Sequence, residues 1–391
     1  MMGNKTLILL KNAKVFAPQS LGEKDILIGG EKILAIEDKI NFDSTFIEKV
    51  DAKGKIIVPG FIDAHVHIAG AGGEGGPGTR TPEMQLSHMI EAGVTSVIGC
   101  LGTDGFTRSF ESVLMKVKAL RDEGVSAWMY AGSYQVPTNT LTGDVGKDIS
   151  LIEEVIGVGE IALSDHRSSH PTTPELVRLA AHARVGGMLG GKAGILNIHM
   201  GDAKNPFQPL YDLEANSELK LTQFLPTHCN RNHYIYEDAK TYGKKGYVDL
   251  TTSSYPYFPD LEIKASKAVK GFIEAGVPEE HITMTSDAFG SLPDFDEHGN
   301  LVKLEMGLLT SLYTEWKDMV LEEGLSIETA LKTVTSNPAR ILKLHQKGMI
   351  EITKDADLLI LDEDLSLNSV IAMGQWMMKD KDLLKKGNYE K

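Results

Sequence analysis

The chain has 391 residues, 42% of them hydrophobic and 24% charged, a composition that excludes a disordered or collagen-like polymer and fits a folded protein. A formal net charge of −14 argues against nucleic acid or an anionic membrane as partner, yet leaves room for an anionic small substrate gripped by a local pair of arginines. Only two cysteines occur, Cys100 and Cys229, so no disulfide framework is expected.

The first ten residues hold a single lysine and a short apolar run without a small-residue cleavage site. No run is long and apolar enough for a membrane span, so a cytoplasmic enzyme is the expectation. Next come β-rich pieces at 6–16, 25–36 and 46–50, separated by Gly, Asn and Asp turn signals. The apolar run Ile56-Ile57-Val58, closed by Pro59-Gly60, then leads into Phe61-Ile62-Asp63-Ala64-His65-Val66-His67, read as one strand over 56–67. Alternate side chains of a strand share a face, so His65 and His67 point the same way. Two imidazoles on one face can grip a zinc-like cation. The competing reading of so short a motif is a pair of core histidines that hydrogen-bond.

Beyond this point the rhythm changes. Strand-like runs at 95–101, 127–131, 160–164, 195–199, 224–228, 247–252 and 282–286 alternate with amphipathic segments. The segment 82–92 reads as a helix with Thr81 as N-cap, Pro82 in its first position, Gly93 as its stop and Leu86, Met89 and Ile90 as its apolar stripe. Segments 110–123, 174–184 and 261–275 repeat that pattern, and the Glu/Lys mixture of 312–332 reads as a solvated helix face. With the 56–67 strand the runs make eight, which predicts an α/β fold of the (β/α)8 TIM-barrel type over 59–345. A doubly wound open sheet is the alternative; no Gly-X-Gly-X-X-Gly opens a helix, which argues against a dinucleotide. The β texture returns at 348–352, 357–361 and 370–378, so 1–58 and 346–391 are expected to form one small β-sandwich domain.

Catalytic groups of such barrels sit at the carboxyl ends of the strands. There the sequence offers His65 and His67, His199 in Asn197-Ile198-His199-Met200-Gly201-Asp202, His228 in Pro226-Thr227-His228-Cys229-Asn230, and Asp287 in Thr285-Ser286-Asp287. Four histidines and a carboxylate exceed the needs of one tetrahedral zinc and suit two metals, given a bridging carboxylate. His88, His170, His182, His281, His298 and His345 read as surface or packing residues, and His166 and His233 lie closer without being ligands. Cys229, lacking a dedicated base, reads as a small buried residue.

This pattern resembles the amidohydrolase superfamily and, within it, the isoaspartyl (β-aspartyl) dipeptidase family. The supporting stretches are Gly72-Gly73-Glu74-Gly75-Gly76-Pro77, Leu101-Gly102-Thr103-Asp104, Gly132-Ser133-Tyr134-Gln135-Val136-Pro137 and Ser164-Asp165-His166-Arg167-Ser168, with the His199 and His228 motifs in the same order. The resemblance implies two divalent metal ions, expected to be Zn2+, and hydrolysis of the β-linked amide of a dipeptide by a hydroxide the metals share. That family bridges its metals with a carboxylated lysine on strand four, but 148–191 contains no lysine, and the position in register is Glu160. Glu160 is therefore expected to bridge directly, with Gly159 allowing strand four to shift.

Asp287 would take the proton of the water and deliver it to the leaving amine. Tyr134 would donate to the oxyanion. An isoaspartyl dipeptide carries an ammonium and two carboxylates, which assigns Glu74 to the ammonium and Arg167 and Arg231 to carboxylates. Thr103, Ser291 and the backbone near Gly72 match the remaining polar contacts of the family, and a homo-oligomer is implied. The alternatives are a cyclic-amide hydrolase of the dihydroorotase or hydantoinase type, a mononuclear deaminase, or a catalytically silent scaffold.

Overall fold

The computed structural model describes residues 7–296, 298 and 300–390, so Thr6, the expected start of the first strand, lies outside it. Eight strands succeed one another in the middle of the chain: β1 (Phe61–Val66), β2 (Val94–Gly99), β3 (Ser126–Ala131), β4 (Val155–Leu163), β5 (Ile195–Met200), β6 (Phe224–Thr227), β7 (Val248–Thr251) and β8 (Ile282–Thr285). β1 to β6 pair in chain order as one parallel sheet, and β7 pairs with β8. The sheet curls. Cys229 N donates to Asp249 O at 3.0 Å across the β6–β7 seam, and Asp287 N donates to His65 O at 3.1 Å across the β8–β1 seam. Nearly every residue of these strands is buried, as expected where helices cover a parallel sheet.

The chain ends build a second, nine-stranded sheet. Leu7–Phe16 pairs with Ser20–Gly29, Ile47–Asp51 and Ile56–Pro59, and Ile56–Pro59 in turn pairs with Leu358–Leu361. Its apolar face, with Ile26, Ile28, Ile57 and Ile360, is a core separate from that around Phe61, Phe272 and Trp316.

Several local expectations are corrected. The run 56–67 is two strands in two sheets, broken at Gly60, where a side chain would lie 2.2 Å from Thr95 Oγ1. The segment 25–36 is the hairpin of Ser20–Gly29 and Lys32–Glu37, and 370–378 spans the turn between Leu367–Ala372 and Gln375–Lys379. The segment 348–352 is not a strand, because the chain turns there as it carries Lys347 in between Asp355 and Asp357, at 2.9 and 2.6 Å.

The helix expected from Pro82 begins four residues later, as Leu86–Glu91 capped by Gln85 and His88. Thr81 does not cap it because its hydroxyl is engaged elsewhere: it accepts from Ala71 N and donates to Phe289 O, both at 2.6 Å. The stripe of Leu86, Met89 and Ile90 is buried as anticipated. The helix expected over 261–275 starts at Ala265, and the one over 174–184 extends as Thr173–Gly190. The 312–332 stretch is two helices, Thr310–Leu321 and Ile327–Val334, and Glu315 is not on a solvated face. It is 4% exposed and accepts from Ser266 N at 2.7 Å, taking an orphan donor of a helix whose N-cap, Lys264, makes no side-chain cap. Among the described residues no helix is long and apolar enough to cross a membrane.

Candidate metal centre and substrate cavity

The carboxyl ends of β1, β4, β5, β6 and β8 bring His65, His67, Glu160, His199, His228 and Asp287 together, each less than a tenth exposed. Glu160 is at the centre. Its Oε1 lies 3.4 Å from His67 Nε2, while Oε2 lies 3.1 Å from His199 Nδ1, 3.4 Å from His65 Nε2 and 3.8 Å from His228 Nε2. Asp287 Oδ1 sits 3.0 Å from His67 Nε2 and 3.5 Å from His65 Nε2. The β4 backbone passes close to β5 to reach this position: a Cβ on Gly159 would stand 2.7 Å from Asn197 Cβ.

The histidines are oriented by what their other nitrogens touch. His65 Nδ1 meets Asn197 Oδ1 at 3.0 Å, and His228 Nδ1 meets Thr251 Oγ1 at 2.6 Å, so both rings turn Nε2 inward. His65 Nε2 is buried and has no hydrogen-bond partner. Cations bound at about 2.0–2.3 Å in a tetrahedron keep donors roughly 3.3–3.8 Å apart, and most separations around Glu160 fall in that range. Two donor groups share this carboxylate: His65, His67, Cys100 and Glu160 form one, and Glu160, His199 and His228 the other. Imidazole and carboxylate donors of this kind fit divalent cations.

Burial opposes charge on Glu160, but His65, His199 and His228 hold its carboxyl well below the usual carboxylate range. Burial, reinforced by His199, pushes His228 down to about 4, which keeps it a neutral imidazole. His228 and Asp287 have φ of 63° and 53°, a left-handed conformation that costs a non-glycine residue about 1–2 kcal/mol and collects at functional sites.

A cavity of about 520 Å³ opens onto His67, His199, His228 and Asp287. Glu74, Thr103, Tyr134, Arg167, Arg231 and Ser291 line it; Gly72 does not, although its neighbour Ala71 does. Arg167 grips Asp165 through Nε and Nη2 at 3.0 and 2.9 Å, and its Nη1 lies 3.4 Å from Glu74 Oε1. Glu74 Oε2 accepts from Ser291 Oγ at 2.8 Å, and Arg231 Nε donates to Asp202 Oδ2 at 3.2 Å. The Tyr134 hydroxyl is 2.8 Å from His199 Nδ1, and burial raises its pKa well above that of an ordinary phenol, so it remains a proton donor.

Three residues of this region escaped the sequence reading. Asp165, which contacts both Arg167 and His199, lies inside a motif that was singled out for its arginine. Glu262 lines the cavity and accepts from Ser254 Oγ at 2.6 Å, with no flanking motif to mark it. Cys100 is signalled only by its place immediately after β2.

The Amidohydrolase family matches this chain over residues 262–367. The β-aspartyl dipeptidase of Fervidobacterium islandicum AW-1, solved in complex with the β-Asp-Leu dipeptide, is 42% identical with a TM-score of 0.92, covering 98% of this chain and 100% of its own. Dihydroorotase of Staphylococcus epidermidis is 48% identical over 66 residues, so the match spans only 17% of this chain and 16% of that relative. Dihydroorotase of Elusimicrobium minutum is 25% identical over 394 residues, covering 90% of this chain and 88% of its own. Identity of this extent over the full length, on a curled parallel sheet whose strand ends gather four histidines and two carboxylates, makes the chain a member of the β-aspartyl dipeptidase family within the amidohydrolase superfamily.

Proposed function

We propose that this chain hydrolyses the β-linked amide of isoaspartyl dipeptides with two divalent cations, most naturally Zn2+, held by His65, His67, Glu160, His199, His228 and Asp287. The observation that carries the reading is the Glu160 carboxylate, whose two oxygens face different histidines beside a cavity that holds Glu74 between Arg167 and Ser291. Cations bound there supply an acidified water and Lewis-acid polarisation of the amide carbonyl.

The chain's own groups do the rest. Asp287 Oδ1, beside His67 Nε2, takes the proton of the attacking water and returns it to the departing amine. Tyr134 donates its hydroxyl proton to the oxyanion. Glu74 binds the substrate ammonium, Arg167 and Arg231 bind its carboxylates, and Thr103, Ser291 and the backbone at Gly72 complete the polar contacts. The same reading treats the segments up to 58 and from 346 as a small β-sandwich domain beside a (β/α)8 barrel.

The full-length likeness to a dihydroorotase favours a second reading, hydrolysis of a cyclic amide. Glu74 on the cavity wall weighs against it, since a cyclic ureide has no ammonium to bind. Hydrolysis of β-Asp-Leu, α-Asp-Leu and dihydroorotate with and without a chelator separates the two. Chelator-sensitive turnover of β-Asp-Leu alone is expected; turnover of dihydroorotate in its place would establish the second reading.

A further inference from the structure

We propose that the thiolate of Cys100 is a ligand of the cation site formed by His65, His67 and Glu160, which makes the two cation positions chemically unequal. Cys100 follows β2 directly and is fully buried. Its backbone N–H donates to Val66 O at 3.1 Å, which fixes the end of β2 against β1 between the two histidines. From there Sγ lies 3.8 Å from His67 Nδ1, and the donor atoms of Cys100, His65, His67 and Glu160 all lie within 4.8 Å of one another.

A second, independent observation points to a ligand at the same place: His65 Nε2 is buried there without a hydrogen-bond partner. The hydrogen-bond contacts of the thiol with the carbonyl of Val66 at 3.7 Å and with His67 Nδ1 at 3.8 Å are both weak ones for sulfur. Cys229 provides the contrast. It is equally buried and adjacent to His228, yet its Sγ donates to Pro226 O at 3.3 Å and belongs to neither donor group.

The assignment rests on the cation-binding reading above and adds to it. With sulfur in one donor group and only nitrogen and oxygen in the other, the first position favours soft, thiophilic cations such as zinc and cadmium, and the second is more permissive.

The test combines metal content with spectroscopy on the full chain. The protein is loaded with cadmium or cobalt(II), and the thiolate-to-metal charge-transfer absorption is recorded for wild type, Cys100→Ser and Cys229→Ser. The band is expected in wild type and Cys229→Ser and lost in Cys100→Ser. X-ray absorption of the zinc-loaded wild type needs no variant and is expected to show a sulfur scatterer at about 2.3 Å. Bound metal with neither band nor sulfur scatterer overturns this assignment while leaving the cation reading intact. A chain that binds no metal overturns both.

Discussion

Glu160, Arg231 and Glu262 each have a task that can be separated by substitution. Arg231 lines the cavity and donates to Asp202 Oδ2 at 3.2 Å. Replacing it with Met removes one charge-assisted contact, of about 1.5–3 kcal/mol, so KM for β-Asp-Leu is expected to rise roughly 10- to 150-fold with metal content unchanged. An unchanged KM would remove that role. Glu262 sets a pH dependence. Burial, against the opposing Ser254 hydrogen bond and Arg231 charge, raises its pKa from 4.5 to about 7. Between those values the folded chain binds more protons at this site than the unfolded chain, so its contribution to stability falls as pH rises through that window. The melting temperature of wild type relative to Glu262→Gln is therefore expected to decline from pH 4.5 to 7; a flat difference would refute it.

At the scale of elements, the strand ends were legible because parallel strands carry continuous apolar runs and release a polar side chain where they stop. That logic located His65, His67, His199, His228 and Asp287, and counting register located Glu160, all six of which meet. It failed where tertiary hydrogen bonds outbid local pattern. Thr81 and Pro82 spell a helix start, but the Thr81 hydroxyl ties the glycine-rich loop to Phe289 instead. Cys100 and Asp165 were missed because Cys100 has only its place after β2 to mark it, and the contacts of Asp165 with Arg167 and His199 form only in the fold. Glu315 failed in the same way, since the donor it satisfies lies on another helix. Glu315→Ala leaves Ser266 N without that acceptor and is expected to destabilise the chain by about 1–3 kcal/mol in urea unfolding. Wild-type stability in that variant would mean water serves the helix end equally well.

For the whole molecule, the junction between the two sheets is the point of consequence. Ile56–Pro59 leaves one sheet and β1 enters the other across Gly60, whose N–H donates to Asp357 O at 2.8 Å. The buried Lys347 sits between Asp355 and Asp357 at that junction, and Lys32 supplies a second cation to Asp355 at 2.6 Å. Lys347→Met takes the cation from buried Asp357, while Asp355 keeps Lys32 at 2.6 Å, and is expected to cost about 3–5 kcal/mol by denaturant unfolding; an effect under about 1 kcal/mol would contradict it. Everything the fold positions converges on one shared carboxylate, so the most direct measurement is metal equivalents per chain in wild type and Glu160→Ala. Two are expected in wild type and one or none in the variant; two in both would contradict a shared Glu160 carboxylate.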